Sequence, residues 1–175
     1  MQLDELNARD RGAAEHELLR CCGSERWARE MAARRPWANL EAMTGDADTI
    51  WGGLSTIDHL QAFASHPRIG VTGGAAGAGA ADSGGRPGNT EWSSDEQSRV
   101  IAASDDLRRR LAAANDRYQA RFGFIFIVCA TGKSAEEMLA IVDERMTHSR
   151  EEELRIAADE QRKITRLRLK KLVSE

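Results

Sequence analysis

Long apolar runs, aromatic residues and a cysteine framework are what this chain has least of, and each shortage removes a class of protein. Aromatics are 5% of the 175 residues, with a single tyrosine. The locally basic C-terminal stretch, with Arg162, Lys163, Arg166, Lys170 and Lys171, therefore has no interleaved rings on which bases could stack. The formal net charge is −3, and no long basic run argues for a nucleic-acid surface. The longest apolar run, Phe122 to Ala130, is too short to span a membrane as a helix. The three cysteines are placed as an adjacent pair, Cys21 and Cys22, and a lone Cys129. That pattern builds no disulfide framework and favours a reducing compartment. There is no His-Glu-x-x-His, no Cys-x-x-Cys and no His/Asp cluster, so no metal site is expected. The opening segment MQLDELNARD is polar and acidic, without the apolar core of a signal peptide, and the closing VSE is not a peroxisomal address. A cytoplasmic location is the expectation.

Val, Ile, Thr and Tyr are sparse while Ala, Arg, Glu and Leu dominate, which leans the chain towards helix. Hydrophobic residues are 41% and charged residues 30%, the balance of an ordinary globular protein large enough to bury its own core as one domain, residues 1–175. One stretch breaks the pattern. From Gly70 to about residue 92 the sequence is mostly Gly, Ala, Ser, Thr and Asp, and no hydrophobic period survives. It reads as a flexible Gly-rich loop inside the domain. No internal repeat is present.

The remainder reads as helices. Two short patterns cover about Asp10 to Cys22 and Ser24 to Arg34, ending near Pro36. Over residues 46–66, Ile50, Trp51, Leu54, Ile57, Leu60 and Phe63 fall mostly three or four apart, which predicts one amphipathic helix. Pro67 disfavours helix at the residue before it and should stop that helix at about His66. A long helix is expected from overlapping capping boxes at Ser93-x-x-Glu96 and Ser94-x-x-Gln97 through Val100, Leu107, Leu111, Ala114 and Tyr118. FGFIFIVCA suits an extended, buried segment. Ser134-Ala-Glu-Glu137 caps a helix to about Met146, and a last helix runs from about Glu151 to Val173. The expected fold class is an all-α, single-domain helical bundle.

Three positions carry possible chemistry. His66 stands at a helix C-terminus, where partial negative charge favours imidazolium, a useful state for a general acid; a histidine that merely caps the helix fits the same position. The polar run Ser93-Ser94-Asp95-Glu96-Gln97 offers backbone donors and a positive dipole end to an anionic or amide-rich ligand, although taken alone it is more simply a routine helix cap. Arg168 is the sharper observation. Leu154, Ala157, Ala158, Gln161, Ile164, Leu169 and Leu172 share one helical face, and Arg168 falls near its middle. A guanidinium there cannot shed its proton and must find acceptors, supplied by a structural salt bridge or by an anionic substrate. Thr131-Gly-Lys133-Ser134 imitates a phosphate loop, but that motif needs a Gly five residues before its Gly-Lys and position 127 is Ile. Cys129, in an apolar run, is more simply a buried, inert thiol than a nucleophile.

Taken in order, Leu6-Asn7, Arg-Pro36-Trp37, His66-Pro67-Arg-Ile-Gly70, Ser93-x-x-Glu96-Gln97, Asn115-x-x-Tyr118-x-x-Arg-Phe122-Gly123-Phe124-x-Phe126, Arg145, Glu153 and Ile164-x-x-Leu167-Arg168-Leu169 resemble the 2-oxo-4-hydroxy-4-carboxy-5-ureidoimidazoline (OHCU) decarboxylase family over most of the chain. The resemblance implies an all-α fold, commonly a homodimer, without metal or organic cofactor, that converts OHCU to (S)-allantoin in urate breakdown. Urate oxidase and hydroxyisourate hydrolase would be its pathway partners. It implies that His66 is the catalytic histidine, Glu96 its carboxylate partner, and Ser93, Gln97 and Arg168 substrate-contacting side chains. Pro67, Ser94, Asp95 and the backbone of Phe126, Ile127, Val128, Cys129 and Ala130 would line the same pocket. Two departures stand out: the Gly-rich loop is longer than usual, and His148 replaces the family's usual Asn. A non-catalytic helical dimer, or an enzyme for another ureido or hydantoin-like compound, are the competing expectations.

Overall fold

The computed structural model describes residues 1–68 and 104–174. Its chain divides into two compact units, Met1–Phe63 with Ala158–Glu175, and Ala64–Ala157. Among the described residues all regular elements are helical.

In the first unit, α1 (Leu3–Ala8), α2 (Arg11–Cys22), α3 (Glu25–Arg34) and α4 (Leu40–Gly52) are each started by a local side chain. Asp10 accepts from the Ala13 amide, Ser24 from Trp27 and Asn39 from Ala42. Each supplies a partner to a donor that the first helical turn leaves open. Gly23 ends α2 at φ +87°, a left-handed conformation that favours glycine. Gly23-Ser24 thus stops one helix and caps the next, and α2 packs against α3. Leu18, Trp27, Met31, Met43, Ile50 and Phe63 fill the core. Indole N–H groups inside it are satisfied by backbone: Trp27 Nε1 donates to Ala47 O at 3.1 Å and Trp51 Nε1 to Ala158 O at 3.0 Å. Asn7 and Trp37 exchange a reciprocal pair, Asn7 Nδ2 to Trp37 O at 2.9 Å and Trp37 N to Asn7 Oδ1 at 3.0 Å. Two distant sequence landmarks are therefore one structural contact.

The single helix anticipated over residues 46–66 is two. After α4, Gly53 and Leu54 turn the chain, and α5 (Thr56–Ala64) begins anew. Ser55 and Asp58 cap it reciprocally, with Asp58 N donating to Ser55 Oγ and Ser55 N to Asp58 Oδ2. Gly52 and Gly53 give up more backbone entropy on entering a helix than other residues do, just where a competing N-cap stands ready. Ile57, counted into the apolar stripe, is 79% exposed.

In the second unit, α6 (Asp105–Phe122) packs on α7 (Ala135–Arg145). Ser104 has φ −59° and ψ 152° and accepts from the Leu107 amide, so a helix starts here. Of the long helix expected from Ser93 through Tyr118, the part from Asp105 onward is helical, and Ser104 is its cap and not a helical residue. Its proposed caps at Ser93 and Ser94, and the Gly-rich residues 70–92, lie outside the described residues. Gly123 closes α6 at φ +80°. The segment from Phe124 to Ala130 has no regular secondary structure, and Phe124, Phe126, Ile127, Val128 and Ala130 are buried, as expected of the extended, buried segment in that respect. α7 starts with the full Ser134/Glu137 capping box. Lys133 donates to Cys129 O at 2.8 Å, and Gly132, at φ +83°, turns the chain before it. The apparent phosphate loop is a turn that satisfies its own lysine.

α8 (Arg150–Leu172) begins in the second unit and continues in the first. Acidic Glu151, Glu152 and Glu153 occupy its first turn and Lys170 and Lys171 its last, the arrangement that suits the helix dipole. Its outer face is exposed and locally neutralised: Arg162 pairs with Asp159, Lys163 with Glu160 and Arg166 with Asp48. No helix among the described residues is long and apolar enough to cross a membrane.

Candidate active site

α5 stops at Ala64, and Pro67 keeps the next residues out of helix. His66 falls two residues beyond the last helical position and is 8% exposed. Arg68 ties this stretch down. Its guanidinium donates to Asp116 and to Gln119, one turn apart on α6. His66 and Pro67 therefore sit on a short tether between Ala64, the last helical residue before them, and an arginine fork, a stretch that belongs to the second unit. The fork is a positioning contact that the sequence motif contained without revealing its use.

The same unit holds the buried segment Phe126–Ala130 and, against it, a charged cluster. Glu153 is fully buried; its Oε2 accepts from Arg145 Nε at 2.9 Å and from the Tyr118 hydroxyl, and its Oε1 lies 2.7 Å from His148 Nδ1. Arg145 in turn donates from Nη1 to the Ile127 carbonyl at 2.8 Å and from Nη2 to the Tyr118 hydroxyl at 3.2 Å. Its guanidinium carbon sits 4.8 Å from the centre of the Phe126 ring, within cation–π range. Burial alone would raise the Glu153 pKa, but the hydrogen bonds from Arg145, Tyr118 and His148 outweigh it and hold the carboxyl below its ordinary value. Burial pushes the Tyr118 phenol well up, so it stays protonated and donates.

A depressed folded-state pKa gives stability that is fully present above the unfolded value, about 4.5, and is lost as the pH falls through the lower folded value. Urea titrations between neutrality and pH 3 should therefore show wild-type stability falling more steeply below pH about 4.5 than that of Glu153→Gln. At neutral pH the variant should be less stable by on the order of 3–5 kcal/mol, because Arg145 is left as a buried charge without its carboxylate. Parallel acid slopes would show that Glu153 is not the titrating group.

Arg168 lies in the first unit, fully buried on the inner face of α8. Ala157, Gln161, Ile164, Leu169 and Leu172 are buried with it and Arg162, Lys163, Arg166 and Lys170 are exposed, as the helical spacing predicts, while Leu154 and Ala158, placed on the same face, are half-buried. A polar ladder precedes it. Gln161 Nε2 donates to Thr165 Oγ1 at 3.2 Å and to Cys22 O at 3.4 Å, so this face of α8 rests on the end of α2. Burial pushes both neighbouring thiols up, Cys22 to about 12, and the Arg168 charge opposes that rise at Cys21 and Cys22 alike. These are protonated, free thiols. Cys129 is half-buried and forms no disulfide with another described residue.

The structure thus places His66, Pro67 and Phe126–Ala130 in one compact unit and Arg168 in the other. Ser93, Ser94, Asp95, Glu96 and Gln97 lie outside the described residues. Roles for Arg68, Tyr118, Arg145 and Glu153 were missed, yet two of them had a signal. Arg145 continues the buried row Ala135, Met138, Val142 of α7, and Glu153 precedes Ala157 by one turn on α8. The reasoning that singles out Arg168 applies to both.

An all-α protein with a buried histidine beyond a helix end, a buried arginine on an apolar helix face and a structured polar cluster is the class these residues define. The OHCU decarboxylase family model matches residues 7–170. The chain is 38% identical over 168 residues to the uric acid degradation bifunctional protein TTL of Arabidopsis thaliana, covering 92% of this chain and 48% of that protein. It is 27% identical over 148 residues to the 2-oxo-4-hydroxy-4-carboxy-5-ureidoimidazoline decarboxylase of Haloferax volcanii, with 82% and 79% covered. A crystal structure of OHCU decarboxylase in the presence of (S)-allantoin superposes with a TM-score of 0.76 at 34% identity, covering 91% of this chain and 98% of that one. The chain belongs to the OHCU decarboxylase family. It spans about half the length of the plant bifunctional relative.

Proposed function

We propose that this protein is a carboxy-lyase that decarboxylates OHCU to (S)-allantoin in urate degradation. The observation that carries the reading is the pair of ionisable side chains buried at family-matched positions: His66, held between α5 and the Arg68 fork, and Arg168, fully buried on α8. A scaffold requires neither.

The substrate carries its carboxylate on a carbon flanked by electron-withdrawing ring atoms. When the carbon–carboxylate bond breaks, CO₂ leaves and the electron pair moves into the neighbouring ring C=N, whose own pair passes to the ring nitrogen, leaving an enol that joins the hydroxyl-bearing and ureido-bearing carbons. The delocalisation supplies the electron sink that other decarboxylations draw from a metal or a pyridoxal ring. Arg168 and amides of the Phe126–Ala130 segment stabilise the developing charge. His66, as imidazolium, delivers its proton to one face of the ureido-bearing carbon while the enol hydroxyl gives up its own and becomes the ring carbonyl, which fixes a single enantiomer. Glu96 holds the imidazolium through a charge-assisted hydrogen bond, and Ser93 and Gln97 orient the ring and ureido groups beside Pro67, Ser94 and Asp95. The working form is a homodimer in the cytoplasm, where the thiols of Cys21, Cys22 and Cys129, none in a disulfide among the described residues, fit a reducing environment. Urate oxidase and hydroxyisourate hydrolase supply the substrate in sequence.

The test is direct. OHCU generated in situ from urate should lose its optical signal faster with this protein present, with CO₂ released and (S)-allantoin as the product. Decay at the spontaneous rate with racemic allantoin would overturn the reading, and hydrolysis without CO₂ would reassign the enzyme to another reaction on a ureido or hydantoin-like substrate.

A further inference from the structure

Arg145 is bound to the pocket segment in two ways at once. Its guanidinium carbon lies over the Phe126 ring and its Nη1 donates to the Ile127 carbonyl. The remaining edge is committed to Glu153 Oε2 and the Tyr118 hydroxyl, and Glu153 is braced from its other oxygen by His148. Every polar edge of the guanidinium therefore has a fixed partner, and the fork cannot rotate without breaking several charge-assisted bonds.

The consequence is set by the geometry of one peptide group. The Ile127 carbonyl and the Val128 N–H belong to the same planar trans unit and point in opposite directions. Pinning the oxygen onto Arg145 aims the Val128 amide away from the charged cluster. We propose that Arg145 is a positioning residue for catalysis, which orients the 127–128 peptide so that the Val128 N–H faces the substrate and stabilises negative charge as CO₂ departs. The inference rests on the decarboxylase reading above and deepens it by assigning one donor within the Phe126–Ala130 backbone. Tyr118, Glu153 and His148 act through Arg145; none of them is placed on the substrate.

A positioning role has a signature that a purely structural one lacks. A donor displaced by about 1 Å can cost on the order of 100-fold in rate, whereas loss of stability alone removes active molecules without altering those that remain. Arg145→Lys keeps the charge opposite Glu153 but loses the planar fork and the stacking on Phe126. Tyr118→Phe keeps the ring and removes only the hydroxyl that braces the fork. The full-length wild type and both variants are assayed on OHCU made from urate, with functional sites counted by calorimetric (S)-allantoin binding. The expected result is a kcat per allantoin-binding site lower by about 100-fold in Arg145→Lys and about 10-fold in Tyr118→Phe, with KM little changed. A kcat per site equal to wild type in Tyr118→Phe and in any folded Arg145→Lys, whatever their Tm, overturns the proposal and makes the cluster structural. Should Arg145→Lys not fold, Tyr118→Phe decides alone. A wild-type protein that leaves OHCU to its spontaneous decay is a different failure, of the decarboxylase reading, and takes this assignment with it.

Discussion

His66→Asn should fold like the wild type and lose about 10²–10⁴-fold of its decarboxylase activity, the usual worth of a positioned acid. The imidazole is 8% exposed, and its backbone is held by Pro67 and by the Arg68 fork on Asp116 and Gln119. An amide of similar size preserves packing and some hydrogen bonding but cannot carry a proton to carbon. Residual product should therefore lose enantiomeric purity as well as rate, since water would reach the ureido-bearing carbon from either face. Circular dichroism of the allantoin formed, beside the initial rate, reads both effects. Retention of full activity in a folded His66→Asn protein would remove the histidine from the mechanism.

Arg168 gives the second large effect, and two substitutions separate its charge from its bulk. Arg168→Met retains most of the unbranched stem on the α8 face beside Ile164 and Leu169, so the fold should persist. With the charge gone, kcat should fall by about 10²–10³-fold, the measured scale for deleting one donor to a developing anion. Arg168→Ala should show the same catalytic loss together with a drop in stability of about 2–5 kcal/mol, because truncating a fully buried side chain leaves a cavity. Thermal unfolding alongside steady-state kinetics distinguishes the two. If Arg168→Met kept wild-type kcat, the guanidinium would be a structural group and the anion would be held elsewhere.

The two buried cations illustrate how much of the site could be read from the sequence. Arg168 was legible because α8 carries a clean helical period whose charged outer face, Arg162, Lys163, Arg166 and Lys170, contrasts with a buried inner one. Arg145 obeys the same rule on α7, but its use depends on Glu153, Tyr118 and the Ile127 carbonyl, partners 8, 27 and 18 residues away. Periodicity registers burial; it does not name the acceptor. Local caps were equally informative where they stood alone, as at Asp10, Ser24 and Ser134. They misled by omission where an apolar spacing ran past them. Ser55 and Asp58 restart the chain after Gly52-Gly53, and Ile57 keeps the stripe's spacing while facing solvent. Ser104 likewise caps a helix at a position inside the longer pattern that ends at Tyr118. A capping bond and a glycine pair together outweigh an apolar period that happens to continue across them. His66 differs again: its place beyond a helix end followed from Pro67, whereas the fork that secures it lies 48 and 51 residues onward, on α6.

The account depends on one small ring being held by imidazole, carboxylate and guanidinium together. A crystal structure of the wild-type protein with (S)-allantoin bound tests that most directly. It should show the hydantoin ring in contact with His66 and Arg168 at once, Glu96 hydrogen-bonded to the imidazole, and a ring oxygen within hydrogen-bond distance of the Val128 amide. Allantoin bound away from His66, or in contact with only one of the two cations, would contradict it.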